Sequence, residues 1–201
     1  MDILVYGSLG LTSVIGLAVV FWRAWVLRWN KAVPASIVAA LSECRGPDGL
    51  KELQGLCEQQ PSPLGRLVLL AAGHLNWPKA DNEASVETAA RQEVVKLERG
   101  LVVLEVIVGI APLLGLVGTI LGMMNVFGDI GQTGLNNMND ASKLALGISL
   151  ILRTTLIGLL ISIPSLVAWS YFSKKVEVIA VELETLCDEF VRRQYRGKNP
   201  S

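Results

Sequence analysis

The sequence predicts an all-α membrane protein with three transmembrane helices and long cytoplasmic helical extensions. Three observations predict it. The stretches Ile3–Trp22, Gly100–Gly128 and Leu144–Ser173 are nearly free of charge, and each is long enough to cross a bilayer, which takes about 20 apolar residues at 1.5 Å per residue. Within Gly100–Gly128 the only charge is Glu105, and residues 111–122 read Ala-Pro-Leu-Leu-Gly-Leu-Val-Gly-Thr-Ile-Leu-Gly. In water each of Gly115, Gly118 and Gly122 would cost a helix about 1 kcal/mol against alanine. In a membrane the same glycines let helices approach closely. Finally, apolar residues recur at helical spacing before the second stretch and after the third.

Residues 1–28 read as an outer transmembrane helix. Asp2 precedes it and no basic segment does, so the expectation is a retained anchor and not a cleaved signal. Ser8, Thr12 and Gly16 supply a stripe of small residues for docking, and Trp22, Trp25 and Trp29 fit an interfacial aromatic belt. Residues 29–84 read as a helical loop broken at Pro34, Gly46-Pro47, Gly55, Pro61-Ser62-Pro63 and Pro78. That loop is too short and too apolar for an independent catalytic domain and is expected to fold against the long helices. Residues 85–128 form an extension and the second span, with Val94, Leu97, Leu101, Leu104 and Val108 predicting one unbroken helix. A short outer loop, 129–142, leads to the third span, 143–173, which Trp169 and Tyr171 close at the interface. In the tail, 174–201, Val176, Ile179, Leu183, Leu186 and Phe190 continue the helix.

Charge sets the expected orientation. Nine Lys or Arg residues fall between Arg28 and Arg99 and six more follow the third span, whereas 129–142 has none. By the positive-inside rule the long loop and the C-terminus are cytoplasmic, and the N-terminus and short loop are periplasmic.

The composition also excludes functions. The 201 residues carry no net charge, so no nucleic-acid partner is implied. Cys44, Cys57 and Cys187 have no metal-ligand spacing and read as reduced, buried thiols. His74 is the lone histidine, and no phosphate-binding glycine loop is present. The expectation is a protein with no catalytic residues, no metal and no cofactor, and not an enzyme.

Polar residues inside the spans carry more meaning, because an ionised side chain at a helix centre costs about 2.5–3.5 kcal/mol. Glu105 lies about a turn inside the second span, open to an interfacial packing role or an ion-access role. Thr119 and Thr155, on antiparallel spans, fall at similar depth. On the third span Gly147, Thr154, Thr155, Gly158, Ser162 and Ser165 form a small, polar stripe that faces protein or water. It reads either as helix packing through hydroxyls or as a pore lining. Pro112 and Pro164 interrupt the backbone bonding of the second and third spans and not the first.

Pro112-Leu-Leu-Gly-Leu-Val-Gly-Thr-Ile-Leu-Gly-Met resembles the second-span motif of the ExbB/TolQ/MotA proton-channel family. The segment from Gly147 through Thr154, Thr155, Gly158 and Ser162 to Pro164 resembles its third-span motif. The three-span layout is similar to the ExbB/TolQ branch. The resemblance implies a ring-shaped homopentamer in the bacterial inner membrane, in contact with lipid, holding two copies of a single-span partner similar to ExbD or TolR. It implies a proton-driven rotary motor in which the partner supplies an aspartate and Thr119 and Thr155 face it; on the pore reading of the polar stripe, Thr154 and Ser162 join the lining. Pro112, Gly115, Gly118, Gly122, Gly158 and Pro164 then serve helix packing. Where the family often has glutamate this chain has Leu150, with Arg153 a turn further on. The expectation for Arg153 is an inter-subunit or partner contact near the pore entrance. The alternative expectation is a scaffold ring that holds its partner without conducting.

Overall fold

The computed structural model describes residues 2–26, 32–44, 46–133 and 138–198. They form helices α1 (Asp2–Val26), α2 (Ala35–Glu43), α3 (Gly46–Gln59), α4 (Pro63–Gly73), α5 (Lys79–Glu98), α6 (Leu101–Thr133) and α7 (Met138–Lys198), with no strand among the described residues. Three of these helices, α1, α6 and α7, are long and apolar enough to cross a membrane. The chain divides into two compact units: Met1–Arg23 with Gly100–Tyr171, and Ala24–Arg99 with Phe172–Ser201.

In the first unit α6 and α7 meet along a seam of glycines. A Cβ built on Gly158 would stand 2.6 Å from the Ala111 carbonyl oxygen and 3.3 Å from Gly115 Cα. One on Gly115 would stand 2.9 Å from both the Thr154 carbonyl oxygen and Thr155 Cα, and one on Gly122 2.6 Å from Ile151 Cγ1. The two backbones touch where any side chain would hold them apart, as in small-residue membrane contacts. Leu104 and Ala111 on α6 and Ile151 on α7 complete the buried face. The opposite faces present Leu113, Val117, Met124, Leu152, Leu156 and Val167 outward, an apolar surface suited to lipid or to further copies of the protein.

Helix α1 docks through Leu9, Gly16 and Arg23, which recur every seven residues on one face. A Cβ on Gly16 would lie 3.5 Å from Ser165 Oγ and 3.6 Å from Ile107 Cδ1, and Val5 covers Gly118. Of the expected stripe of Ser8, Thr12 and Gly16, Gly16 lies on this docking face, and Ser8 and Thr12 are partly buried beside it. The hydroxyls of Ser8 and Thr12 turn back onto their own helix, donating to Val5 O and Leu9 O, each at 2.9 Å.

In the second unit α2 to α5 wrap the distal part of α7. Ile37, Leu41, Leu53, Leu64, Val68, Val86 and Ala90 bury against Ile179, Leu183, Phe190 and Val191. Cys44, Cys57 and Cys187 are free thiols in this core. The side chain of Ser62 caps α4 by accepting from Gly65 N at 3.0 Å, and Pro63 opens the helix, where a missing N–H is harmless. Asn82 Nδ2 donates to Ala71 O at 3.1 Å, and Tyr195 Oη donates to Trp77 O at 2.8 Å, tying α7 to the α4–α5 turn.

The buried Glu93 accepts from Arg66, and from Lys96 at 2.7 Å. Burial raises its carboxyl, and the bonds and charges of Arg66 and Lys96 more than offset this, leaving the pKa below the ordinary range. A depressed folded pKa contributes stability above the unfolded value, about 4.3, and that contribution is lost as pH falls through the folded value. Acid titration should therefore destabilise the wild type below pH of about 4. Glu93→Gln should be less stable at neutral pH and lose that part of the acid dependence; parallel denaturation curves at all pH values would refute this.

Three local expectations are corrected. The second span and its extension are not one helix: α5 ends at Glu98, α6 begins at Leu101, and between them Gly100 has φ +85°, a conformation that glycine adopts without strain. Gly55 does not break a helix but lies inside α3, and Gly46-Pro47 forms the first turn of that helix. The outer loop expected over 129–142 is largely helical, since α6 runs to Thr133 and α7 starts at Met138; residues 134–137 lie outside the described set. Trp29 lies outside it too.

Candidate functional site

Prolines decide the bonding inside the membrane unit. Pro112 has no N–H, so the carbonyl of Val108, four residues earlier, loses its helical donor. Ser162 Oγ on α7 donates to that oxygen at 3.0 Å. Both α6 and α7 run through their prolines as continuous helices. If the Ser162 hydroxyl replaces the missing N–H, Ser162→Ala should cost about 1–3 kcal/mol, and the same change in a Pro112→Ala background should cost little. A double-mutant cycle in detergent measures this; additive effects would show that the two residues are unrelated.

The threonines divide between two environments. Thr154 is 6% exposed and donates to Ile151 O at 2.7 Å and to Gly115 O at 3.3 Å, so it belongs to the seam. Ser162, 7% exposed, belongs there too. Thr155 is half-buried, with Oγ1 reaching Gly115 O at 3.2 Å. Thr119 is half-buried and donates to Leu116 O at 2.6 Å. Gly115 is one turn before Thr119, so both threonines sit at one level of the seam.

Helix geometry also puts them on one side of it. Thr119 and Thr155 each follow a seam residue, Gly118 and Thr154, by one step of about 100°. On antiparallel helices that step leads to the same flank of the pair. Glu105 and Pro112 precede Thr119 at seven-residue intervals and share its stripe. Helix α1 occupies the other flank, where Tyr6, Ser13 and Leu17 line a groove of about 570 Å³ with Ile157, Leu160 and Pro164. Arg153 belongs to that α1 flank: it lies one turn before Ile157 and two steps, about 200°, from Thr155. Leu150 lines a second groove there, about 330 Å³, with Val5, Tyr6 and Asn125. The membrane unit thus presents a face of Glu105, Thr119 and Thr155 turned away from α1, and Arg153 is not part of it.

The sequence from α4 into distal α7, residues 67–185, matches the family model described as the MotA/TolQ/ExbB proton channel family. The chain belongs to this family. Among similar MotA/TolQ/ExbB proteins, ExbB of Helicobacter pylori is 39% identical over 84 residues, 42% of this chain and 56% of that protein. An ExbB-like protein of Synechocystis is 30% identical over 152 residues, 76% of this chain and 70% of that protein. TolQ of Pseudomonas aeruginosa is 34% identical over 122 residues, 56% of this chain and 51% of that protein. The chain spans between half and two thirds of the length of several relatives, including 63% of a second Synechocystis ExbB-like protein and 52% of an ExbB homolog from Methanothermobacter thermautotrophicus. Matches to both ExbB and TolQ support the ExbB/TolQ branch. The family match covers the seam, both prolines and the Glu105–Thr119–Thr155 face. It leaves out α1, whose buried Arg23 escaped the sequence reading. The signal available was a single cation in the last turn of an apolar span, seven residues after Gly16.

Proposed function

We propose that this chain is a proton-channel subunit of an inner-membrane motor that uses the proton motive force to energise an envelope process such as outer-membrane import. The observation that carries the reading is the face of exposed Glu105 and half-buried Thr119 and Thr155 on the flank away from α1. In a homopentamer with α1 outermost, that face lines the axis. Threonine hydroxyls there give a transferring proton donors and acceptors without fixed charge. The carboxylate that carries the proton comes from a single-span partner similar to ExbD or TolR, two copies to a ring. The driving force is about 2.3 kcal/mol per charge per 100 mV. The basic loop and tail support a cytoplasmic C-terminus and a periplasmic N-terminus. Distal α7 and α2–α5 are then cytoplasmic.

Leu150 and Arg153 favour a second reading, a scaffold ring that holds the partner without conducting. One experiment separates the two. The complex is isolated with its co-purifying single-span protein, its stoichiometry read by native mass spectrometry, and its proton uptake followed in liposomes under an applied potential. Five copies with two of the partner, together with potential-driven proton uptake, support the motor. The same stoichiometry without flux supports the scaffold, and a lone monomer or dimer overturns both.

A further inference from the structure

We propose that Arg23 and the first turn of α6 form an anion site that holds the phosphate of a membrane phospholipid. Arg23 is 3% exposed, and its Nε and Nη2 are buried with no hydrogen-bond partner among the described residues. The Trp22 ring, with its centroid 5.8 Å from Cζ, covers a face of the guanidinium. It offers nothing to the N–H groups at the edge. Leaving a buried guanidinium without a counter-charge is strongly unfavourable. No ion pair among the described residues supplies one.

The direction of the side chain identifies the ligand. The guanidinium lies on Gly100, where a Cβ would stand 3.1 Å from Nε and 3.3 Å from Nη2. Gly100 immediately precedes Leu101, the first residue of α6. The leading amides of a helix have no intrahelical acceptor and carry the positive end of its dipole. A cation buried beside a helix N-terminus repels it, and an anion between the two satisfies both. Gly100, at φ +85°, leaves the space beside this helix start to the guanidinium.

The level of the site selects the source of the anion. Arg23 lies in the last turn of α1, near the end of the apolar stretch Val5–Trp25. Trp22 and Trp25, 58% and 64% exposed, present their rings at that end, where aromatic side chains mark the headgroup region. A phosphodiester there meets the forked guanidinium with two oxygens. The lipid thereby becomes a structural component at the junction of α1 and α6.

The test uses the full chain in mild detergent. Native mass spectrometry should show stoichiometric phospholipid on the wild type, roughly tenfold less on Arg23→Gln and an intermediate amount on Arg23→Lys. In a second arm that needs no variant, short-chain phosphatidylglycerol should raise the Tm of the delipidated wild type, while inorganic phosphate at equal concentration should not. Equal lipid retention by the wild type and a folded Arg23→Gln overturns the proposal. So does a Tm shift from inorganic phosphate equal to that from lipid, which would mark a free-anion site, or no shift from either.

Discussion

Gly158→Val should prevent recovery of a folded membrane unit, with a destabilisation of more than about 3 kcal/mol. The size follows from what the new atoms meet. The first added carbon would lie 2.6 Å from the Ala111 carbonyl oxygen, with Gly115 Cα at 3.3 Å. Both are backbone atoms inside continuous helices and cannot rotate aside as a side-chain tip would. Relief requires α6 and α7 to separate, which also lengthens the bonds from Thr154, Thr155 and Ser162 across the seam. Gly109→Ala is the matched control, because a Cβ at Gly109 meets no atom within 4 Å, and its effect should stay within about 1 kcal/mol. Thermal unfolding in detergent reads both. Equal effects would mean that α6 and α7 do not touch at this point.

Thr155→Val should reduce proton-driven work at least tenfold while the protein still folds and assembles. Valine keeps the branched shape and removes the hydroxyl. The bond lost is a single contact at 3.2 Å to Gly115 O, an oxygen that Thr154 also reaches, so the stability cost is about 1 kcal/mol. That is too small to dismantle the seam. A large functional loss then belongs to the hydroxyl's role on the face it shares with Thr119. Thr155→Ser should restore activity. Thr154→Val, changed in the seam one residue away, should affect stability more than coupling. If Thr155→Val is as active as wild type in proton-uptake measurements, the ion path does not use this face.

The parts of this fold that were legible in the sequence are those set by composition and by short repeats. Charge-free length located the three spans, and Gly115, Gly118 and Gly122 on α6 with Gly158 on α7 announced a close seam, because glycine lets membrane helices approach. The break at Gly100 was hidden, because 3-4 spacing continues across one left-handed residue without changing which residues are apolar. The division of Thr154 from Thr155 was hidden for a related reason: a step of one residue decides between seam and flank, and only the register of α6 on α7 fixes the seam. The bond from Ser162 to Val108 joins residues 54 apart in sequence. Pro112 signalled an orphaned carbonyl, but its donor depended on that register. Nothing in the sequence around Arg23 marks it as buried, because its burial follows from the docking of α1.

The glycine seam also determines where this protein can move. Helices separated by side chains have slack: rotamers yield, and one rod slides past the other through many shallow minima. With backbone against backbone at Gly115 and Gly158 there is no such lubricant, and a displacement of a few tenths of an ångström already meets hard repulsion. The α6–α7 pair therefore behaves as a housing. Any motion of the membrane unit has to leave this pair intact, with Thr119 and Thr155 held at a fixed height throughout.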